Sequence, residues 1–352
     1  MISASSVGDL GDSIVMAGVL SRVSGGPHDI LLQRSTITKM RTAADVAKWH
    51  SLVAPLFSAQ NYVRECRVAK PNEHADWHSG EFRAKGLHSV SQTLFQSHLN
   101  WLIQDKGIGQ DFKADDPWLK IVPSEKTQGR VVISRSERYR NPFFNWGSVV
   151  HKYGDRLVFI GLPHEHREFC IKYGMVEHIQ TNDYLEVAEA IAGSLLFIGN
   201  QSSPMAVAEG LKHPTIQETC LYIVDCIYKR PNAQHVSNGK MTLPGFYGQE
   251  DTEVPACKIV PEDPPTHTTP PGQWQYMGMK SYFIDPVVKC AMANNPGMTR
   301  KAAEHLVLQE NITRVPEFFL DDGSMQGFRK IEIALQNAGY PPRTFREIIG
   351  IG

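Results

Sequence analysis

Short apolar runs without alternation set the rhythm of the first two-thirds of the chain. Residues 2–6, 29–33 (DILLQ) and 62–68 read as strands. Between them, residues 13–23 and 42–57 read as helices, the second with Leu52, Val53 and Leu56 on one side. A polar, aromatic- and His-rich connection follows at 70–88, longer than compact domains use unless the segment has a function. Residues 89–104 then read as a helix with Leu94, Leu99 and Leu102 inward, and 118–122 as a short strand. A second series places strands at 131–134, 157–161 (LVFIG), 176–180, 195–199 and 214–218. Its helices fall at 142–153, 164–173, 183–192 and 204–211, with Pro142 suited to a first turn and Gly174 to a left-handed cap. Unalternating strands interleaved with helices predict parallel sheets covered on both faces. Two such series predict two doubly wound α/β domains, residues 1–127 and 128–230, with the boundary near 123–129.

The pattern breaks after residue 230. Residues 231–275 are rich in Pro, Gly, Asn and Thr and include PEDPPTHTTPPG. They read as an irregular arm that wraps the body or lines a cleft, or as a linker. Helices are expected at 299–309, capped by Thr299, and at 331–338, stopped by Gly339. Residues 231–352 are therefore expected to be an arm with accessory helices packing back on the body.

The length of 352 residues suits two domains. Thirty-six basic side chains against 37 acidic ones leave a net charge of −1, which excludes a broadly basic nucleic-acid clamp but not a local basic patch. No apolar run reaches 18 residues, so no transmembrane span is expected. The first residues, MISASSVGDLGDS, carry acids where a secretory signal has a basic region. The six cysteines, at 66, 170, 220, 226, 257 and 290, form no CxxC pair and argue for a reducing, cytoplasmic setting.

Two segments carry candidate chemistry. The first is SSVGDLGDSIVMAGVL, residues 5–20, at a strand–turn–helix junction. Gly8 and Gly11 allow a tight turn and a close approach, and Asp9 and Asp12 project where parallel sheets collect ligands. A carboxylate there serves either as a general base or as an ordinary N-cap. The segment lacks the lysine of a phosphate-binding GxxxxGK[ST] loop and the spacing of GxGxxG, so a nicotinamide cofactor is not supported. The second is LLFIGNQSSPMAVAEGLKHPTIQE, residues 195–218. Its strand ends in Asn200, Gln201, Ser202 and Ser203, and Pro204 opens a helix. Hydroxyls and free N–H groups at a helix start suit a diphosphate, or Ser203 merely caps the helix.

Together the segments resemble glycosyltransferases with two facing Rossmann-like domains, the GT-B fold, and in pattern the lipopolysaccharide heptosyltransferase family (glycosyltransferase family 9-like). The match rests on Gly11-Asp12-Ser13-Ile14 after the first strand, and on Gln201-Ser202-Ser203-Pro204 with Met205 for the family's Asp-Ser/Thr-Gly-Pro turn. Gln201 replaces the acid and Ser203 the glycine. The stretch 209–214 is similar to a helix end whose glutamate contacts the donor ribose in many such enzymes. The resemblance implies this role for Glu209, which otherwise reads as a solvated acid. It covers roughly residues 1–220.

The implied activity is inverting, metal-independent transfer from a UDP-, GDP- or ADP-sugar, with no tightly bound cofactor. Attack on the anomeric carbon needs a base, and Asp12 is assigned that role with Asp9 second. The donor site would comprise Gly11, Ser134, Arg135, Arg138, Arg140, Asn200, Gln201, Ser202, Ser203, Met205 and Glu209, the arginines meeting phosphate charge or forming an exposed loop. His74, Trp77 and His78 in the long connection would face the acceptor, either a saccharide or glycolipid or a hydroxymethylated base in DNA. His164-Glu165-His166 matches no zinc signature. A nucleotide-sugar epimerase and a non-catalytic nucleotide-sugar-binding protein on the same fold are the alternatives.

Overall fold

Two parallel sheets are joined by helices buried on almost every side. The computed structural model describes residues 1–254 except 7, 35–41, 84, 86–91, 108–115, 142–143, 221–223 and 238–239. The helices expected at 299–309 and 331–338 lie outside the described residues, as does Pro142.

The first unit runs β1 (Ser3–Ser6), α1 (Leu10–Leu20), β2 (His28–Leu32), α2 (Ala43–Ser58), β3 (Val63–Val68), β4 (Trp77–His78) and α3 (Leu94–Lys106). Its strands lie in the order β3-β2-β1-β4, all parallel. The second unit runs β5 (Val131–Ser134), α4 (Trp146–Tyr153), β6 (Leu157–Ile160), α5 (Pro163–Tyr173), β7 (Glu177–Ile179), α6 (Tyr184–Gly193), β8 (Leu196–Asn200), α7 (Ser203–Gly210), β9 (Thr215–Glu218) and β10 (Ala233–Val236). Its six parallel strands lie in the order β10-β9-β8-β5-β6-β7. Counted along the chain, that is the doubly wound order 3-2-1-4-5-6, and the first sheet has the 3-2-1-4 part of it. Two Rossmann-like units set against each other are the GT-B architecture that the sequence led us to expect. Among the described residues no helix is long and apolar enough to cross a membrane.

Local chemistry explains where the helices begin. Thr42 accepts from the Asp45 N–H at 3.1 Å, while Asp45 accepts from the Thr42 N–H at 2.8 Å, a reciprocal cap that starts α2. Thr93 and Gln96 repeat the device, which is why α3 begins at Leu94 and not at the expected residue 89. Gly174 closes α5 with φ +112°, a glycine conformation, but its ψ of 165° is extended, not left-handed helical.

Two stretches differ from the sequence reading. Residues 118–122 are not a strand. The Trp118 and Leu119 N–H groups both donate to the Gly210 carbonyl, at 2.9 and 3.0 Å. The Trp118 ring is held between Gly18 of α1 and Gly210 of α7, where an added Cβ would approach it to 2.6 and 2.8 Å. The segment is a plug between the units, and β4 supplies the fourth strand instead. Residues 233–254, read as the start of an irregular arm, contribute β10 to the second sheet and an antiparallel pair, β11 (Met241–Leu243) and β12 (Thr252–Val254).

One hydrophobic core runs through both units, taking in Ile14, Val15 and Val19 of α1 and Val207 and Ala208 of α7. Every residue of α1 from Ser13 to Leu20 is buried, as is every residue of α7 from Met205 to Gly210. A helix buried all round belongs to the interior, which accounts for the lack of a clear apolar stripe. A second core fills the other face of the larger sheet around Phe159, Trp146 and Phe169.

Gly18→Ala should therefore cost about 1–3 kcal/mol through overpacking against Trp118. Urea unfolding measures this, and an unchanged midpoint would contradict the plug. The half-buried His213 and His235 each have a pKa held down to about 4, first by burial and then by Arg230. Between about pH 6.5 and 4 the unfolded chain binds protons that the native one refuses, so stability falls as pH falls through that window. His213→Asn should flatten that part of the melting-temperature profile, and an unaltered profile would remove His213 from the account.

Candidate active site

In open parallel sheets, ligands gather beyond the carboxyl ends of the strands where the strand order reverses. In the first unit this point lies between β1 and β4. The residues that follow those strands include Gly8, Asp9, Asp12 and Arg83. In the second unit it lies between β5 and β8, which lead into Ser136, Arg138 and residues 200–203. The contact of α1 with α7 brings the two points together: a Cβ on Gly11 would stand 3.7 Å from the Ser203 Cα. Two helix starts, each at the positive end of a dipole, thus lie side by side; on α7, Pro204 carries no N–H and Met205 donates its own to the Ser202 carbonyl at 3.0 Å.

Asp9 is the residue at the N-cap of α1 and Asp12 sits one turn inside. Asp12 Oδ2 accepts from the Asp9 N–H at 2.9 Å, and its Oδ1 meets Arg83 Nη2 at 3.2 Å. Its side chain is 17% exposed, enough to meet a ligand while held from two directions. Gly8 makes room for it, since a Cβ there would fall 2.4 Å from the Asp12 Cβ. Asp9 reaches across to the second unit, where Arg138 Nη1 donates to its Oδ2 at 2.8 Å. Burial disfavours the charge on Arg138, but Tyr139, Asp9 and Asp12 outweigh it and raise its pKa. Arg83 is raised in the same way: burial opposes its charge, while Asp12 and then Asp225 hold it.

The loop that carries Arg138 is built into the sheet. Asn200, fully buried at the end of β8, accepts from the Ser136 N–H at 3.1 Å and donates to the Ser136 carbonyl at 3.2 Å and to the Arg138 carbonyl. Tyr139 follows with φ +58°, a strained left-handed conformation for a bulky residue. Ser202 stands at the N-cap of α7 and donates to Asn200 Oδ1 at 3.2 Å. Ser203 opens the helix and its hydroxyl bonds that of Tyr184. Gln201 accepts from the Cys220 N–H at 2.6 Å, tying this turn to the segment after β9.

Other residues singled out from the sequence lie elsewhere or are held by structural partners. Ser134 is buried in the end of β5, and Met205 lies in the core. Arg135 is buried against Glu218, with Nε–Oε2 at 2.9 Å and Nη2–Oε1 at 2.8 Å, and its Nη1 donates to the Tyr173 hydroxyl. Arg140 turns outward to Glu168, with Nη2–Oε2 at 2.9 Å. Glu209, at the far end of α7, is buried and accepts from Arg230 Nε at 2.8 Å as well as from Lys212. It is therefore not a solvated acid. Trp77 is fully buried in β4 and cannot stack on an acceptor from there. His78 pairs Nδ1 with the Ser5 hydroxyl at 2.7 Å, and the exposed His74 lies edge-on to it with ring centres 6.5 Å apart.

Arg83 and Asp225 escaped the sequence reading. The signal for Arg83 was the length of the 70–88 connection. Asp225 gave none, being an isolated acid in an irregular stretch. Among the described residues no group of three or more His, Cys, Asp and Glu side chains is placed to hold a metal ion.

No protein-family model matches the chain, and no curated protein matches it in sequence. Its fold is similar to that of Escherichia coli heptosyltransferase WaaC with ADP-2-deoxy-2-fluoro heptose, at 11% identity and a TM-score of 0.46, over 66% of this chain and 92% of that one. It is also similar to E. coli ADP-heptose lipopolysaccharide heptosyltransferase II, at 13% identity and a TM-score of 0.42, over 67% of this chain and 90% of that one. A glycosyl transferase family 9 protein from Veillonella parvula gives 11% identity and a TM-score of 0.42, over 66% of this chain and 84% of that one.

The structural role of Arg135 is testable. Glu218 is fully buried and also accepts from the Asn141 N–H at 2.8 Å and from Trp146 Nε1 at 3.0 Å. Glu218→Ala strands the buried guanidinium and should cost about 3–5 kcal/mol in urea unfolding. A loss below about 1 kcal/mol would mean that Arg135 is not held by this pair.

Proposed function

We propose that the chain is a nucleotide-sugar glycosyltransferase that transfers to an acceptor hydroxyl with inversion, using Asp12 as general base. The observation that carries this reading is the position of Asp12, mostly shielded but still accessible, where the two switch points meet beside the start of α7. The second unit takes the donor. The Ser203 N–H at the start of α7, the hydroxyls of Ser202 and Ser203 and the Arg138 guanidinium meet the diphosphate. An anion there gains from the helix dipole and from donors already oriented.

Asp9 neutralises Arg138 in this structure, and the diphosphate takes over that charge when it binds. The acceptor enters from the first unit. Its hydroxyl oxygen attacks the anomeric carbon as Asp12 takes the proton, and the bond from that carbon to the diphosphate oxygen breaks on the opposite face. The nucleoside diphosphate leaves with the electron pair. Arg83 and the Asp9 N–H keep the Asp12 carboxylate in one orientation, so positioning comes from the fold rather than from the substrate.

Asp12→Asn should lower transfer by about 10²–10⁴-fold while nucleoside diphosphate still binds. Release of nucleoside diphosphate from UDP-, GDP- and ADP-sugars, with saccharides or hydroxymethylated DNA as acceptor, measures this. Transfer at the wild-type rate in the variant would remove Asp12 from the base role, and conversion of the sugar with no acceptor would favour an epimerase. Arg138→Met should weaken nucleoside diphosphate binding about tenfold or more in calorimetry. Unchanged affinity would move the diphosphate elsewhere.

A further inference from the structure

The start of α7 is poorer in donors than an ordinary helix start. Pro204 carries no N–H, and the Met205 and Ala206 N–H groups both return to the Ser202 carbonyl, at 3.0 and 3.3 Å. The Ser203 N–H remains, so further donors to an anion there must come from side chains. The Ser202 proton is already engaged, since its hydroxyl donates to Asn200 Oδ1 at 3.2 Å. Whether Ser203 adds its hydroxyl as a donor depends on Tyr184 of α6, whose own hydroxyl bonds it.

Tyr184 is the first residue of α6, and its place is fixed from both sides. Asp183 caps the helix, its Oδ1 accepting from the Leu185 and Glu186 N–H groups at 2.8 and 3.0 Å. The ring packs on the core that the two units share. Two hydroxyls carry two protons between them, and one hydrogen bond uses one of these. Burial pushes the Tyr184 phenol up to about 12, so it keeps its proton at neutral pH. Among the described residues its hydroxyl has Ser203 as its hydrogen-bond partner and no other acceptor. Were Ser203 the donor, the phenol proton would sit in a shielded place with no acceptor, which is costly. The phenol therefore donates to Ser203 Oγ, and the Ser203 proton is left to point away from Tyr184. Ser203 stands where α1 meets α7, its Cα 3.7 Å from where a Cβ on Gly11 would be.

We propose that Tyr184 is a positioning residue of the donor site, holding the Ser203 hydroxyl as a ready donor to the nucleoside diphosphate. Ser203 then offers the same anion two donors, its N–H and its O–H. The inference rests on the glycosyltransferase reading, which puts a diphosphate at the start of α7, and goes beyond it by naming what orients the donor. A hydroxyl whose proton is already aimed spends no binding energy on reorienting when the anion arrives.

The test is a double-mutant cycle in the full chain, with Tyr184→Phe, Ser203→Ala and the two together, read by calorimetry with ADP, UDP and GDP. Tyr184→Phe keeps the ring and its packing and should weaken the preferred nucleoside diphosphate about three- to tenfold. Ser203→Ala should lose at least as much. Adding Tyr184→Phe to it should cost less than about twofold more, because the phenol then has no hydroxyl to hold. A tyrosine that only supports the fold would instead cost the same in both backgrounds. Wild-type affinity in either single variant, or equal losses from Tyr184→Phe in both backgrounds, would overturn the positioning role while the glycosyltransferase reading stands. Failure of wild type to bind ADP, UDP or GDP would overturn the reading and the positioning role together.

Discussion

The close packing of α1 against α7 is the constraint on which the rest of the molecule depends. Each helix leaves a strand at the point where its own sheet reverses order, so each start is a place where ligands gather. Small residues let the two helices meet: Gly11 beside Ser203 and Ala206, and Gly18 and Gly210 on either side of Trp118. That contact makes one core of the two units and sets their two switch points against each other. Helices held side by side at their starts bring the first-turn acid of α1, Asp12, next to the Ser203 end of α7.

Charge in that space is arranged as crossed pairs. Asp9 pairs with Arg138 of the other unit, and Asp12 with Arg83 of its own. The overall charge of −1 says nothing of this local order. Three arginines within six residues show how differently one basic segment can be used. Arg135 is buried against Glu218, Arg138 crosses the cleft, and Arg140 turns to a glutamate on α5. The difference lies in what each side chain finds: a buried carboxylate below, a partner opposite, or the solvent edge. Only Arg138 combines partial exposure with a place beside both helix starts, which is what an exchangeable anion contact requires.

Much of the architecture was legible from the order of strands and helices, because unalternating apolar runs leave little choice but a parallel sheet with both faces covered. Asp9, Asp12 and Ser202 were readable because a turn between strand and helix fixes where such residues project. Residues whose place depends on long-range contacts were not. Trp118 looked like part of a strand by local pattern, and only the two glycines across the interface make it a plug. A sequence does not reveal that Arg230 reaches Glu209 or that Glu218 holds Arg135. Arg83 was missed because its partner lies 71 residues away.

The central claim is that a nucleoside diphosphate binds in the second unit, between Arg138 and the start of α7, facing Asp12 across the cleft. A crystal structure of the chain with its preferred nucleoside diphosphate tests this most directly. The account predicts phosphate oxygens within hydrogen-bond distance of Arg138 and of the Ser203 N–H, with Asp9 no longer paired to Arg138. A nucleotide seated away from the β5–β8 switch point, with the Asp9–Arg138 pair intact, would contradict it.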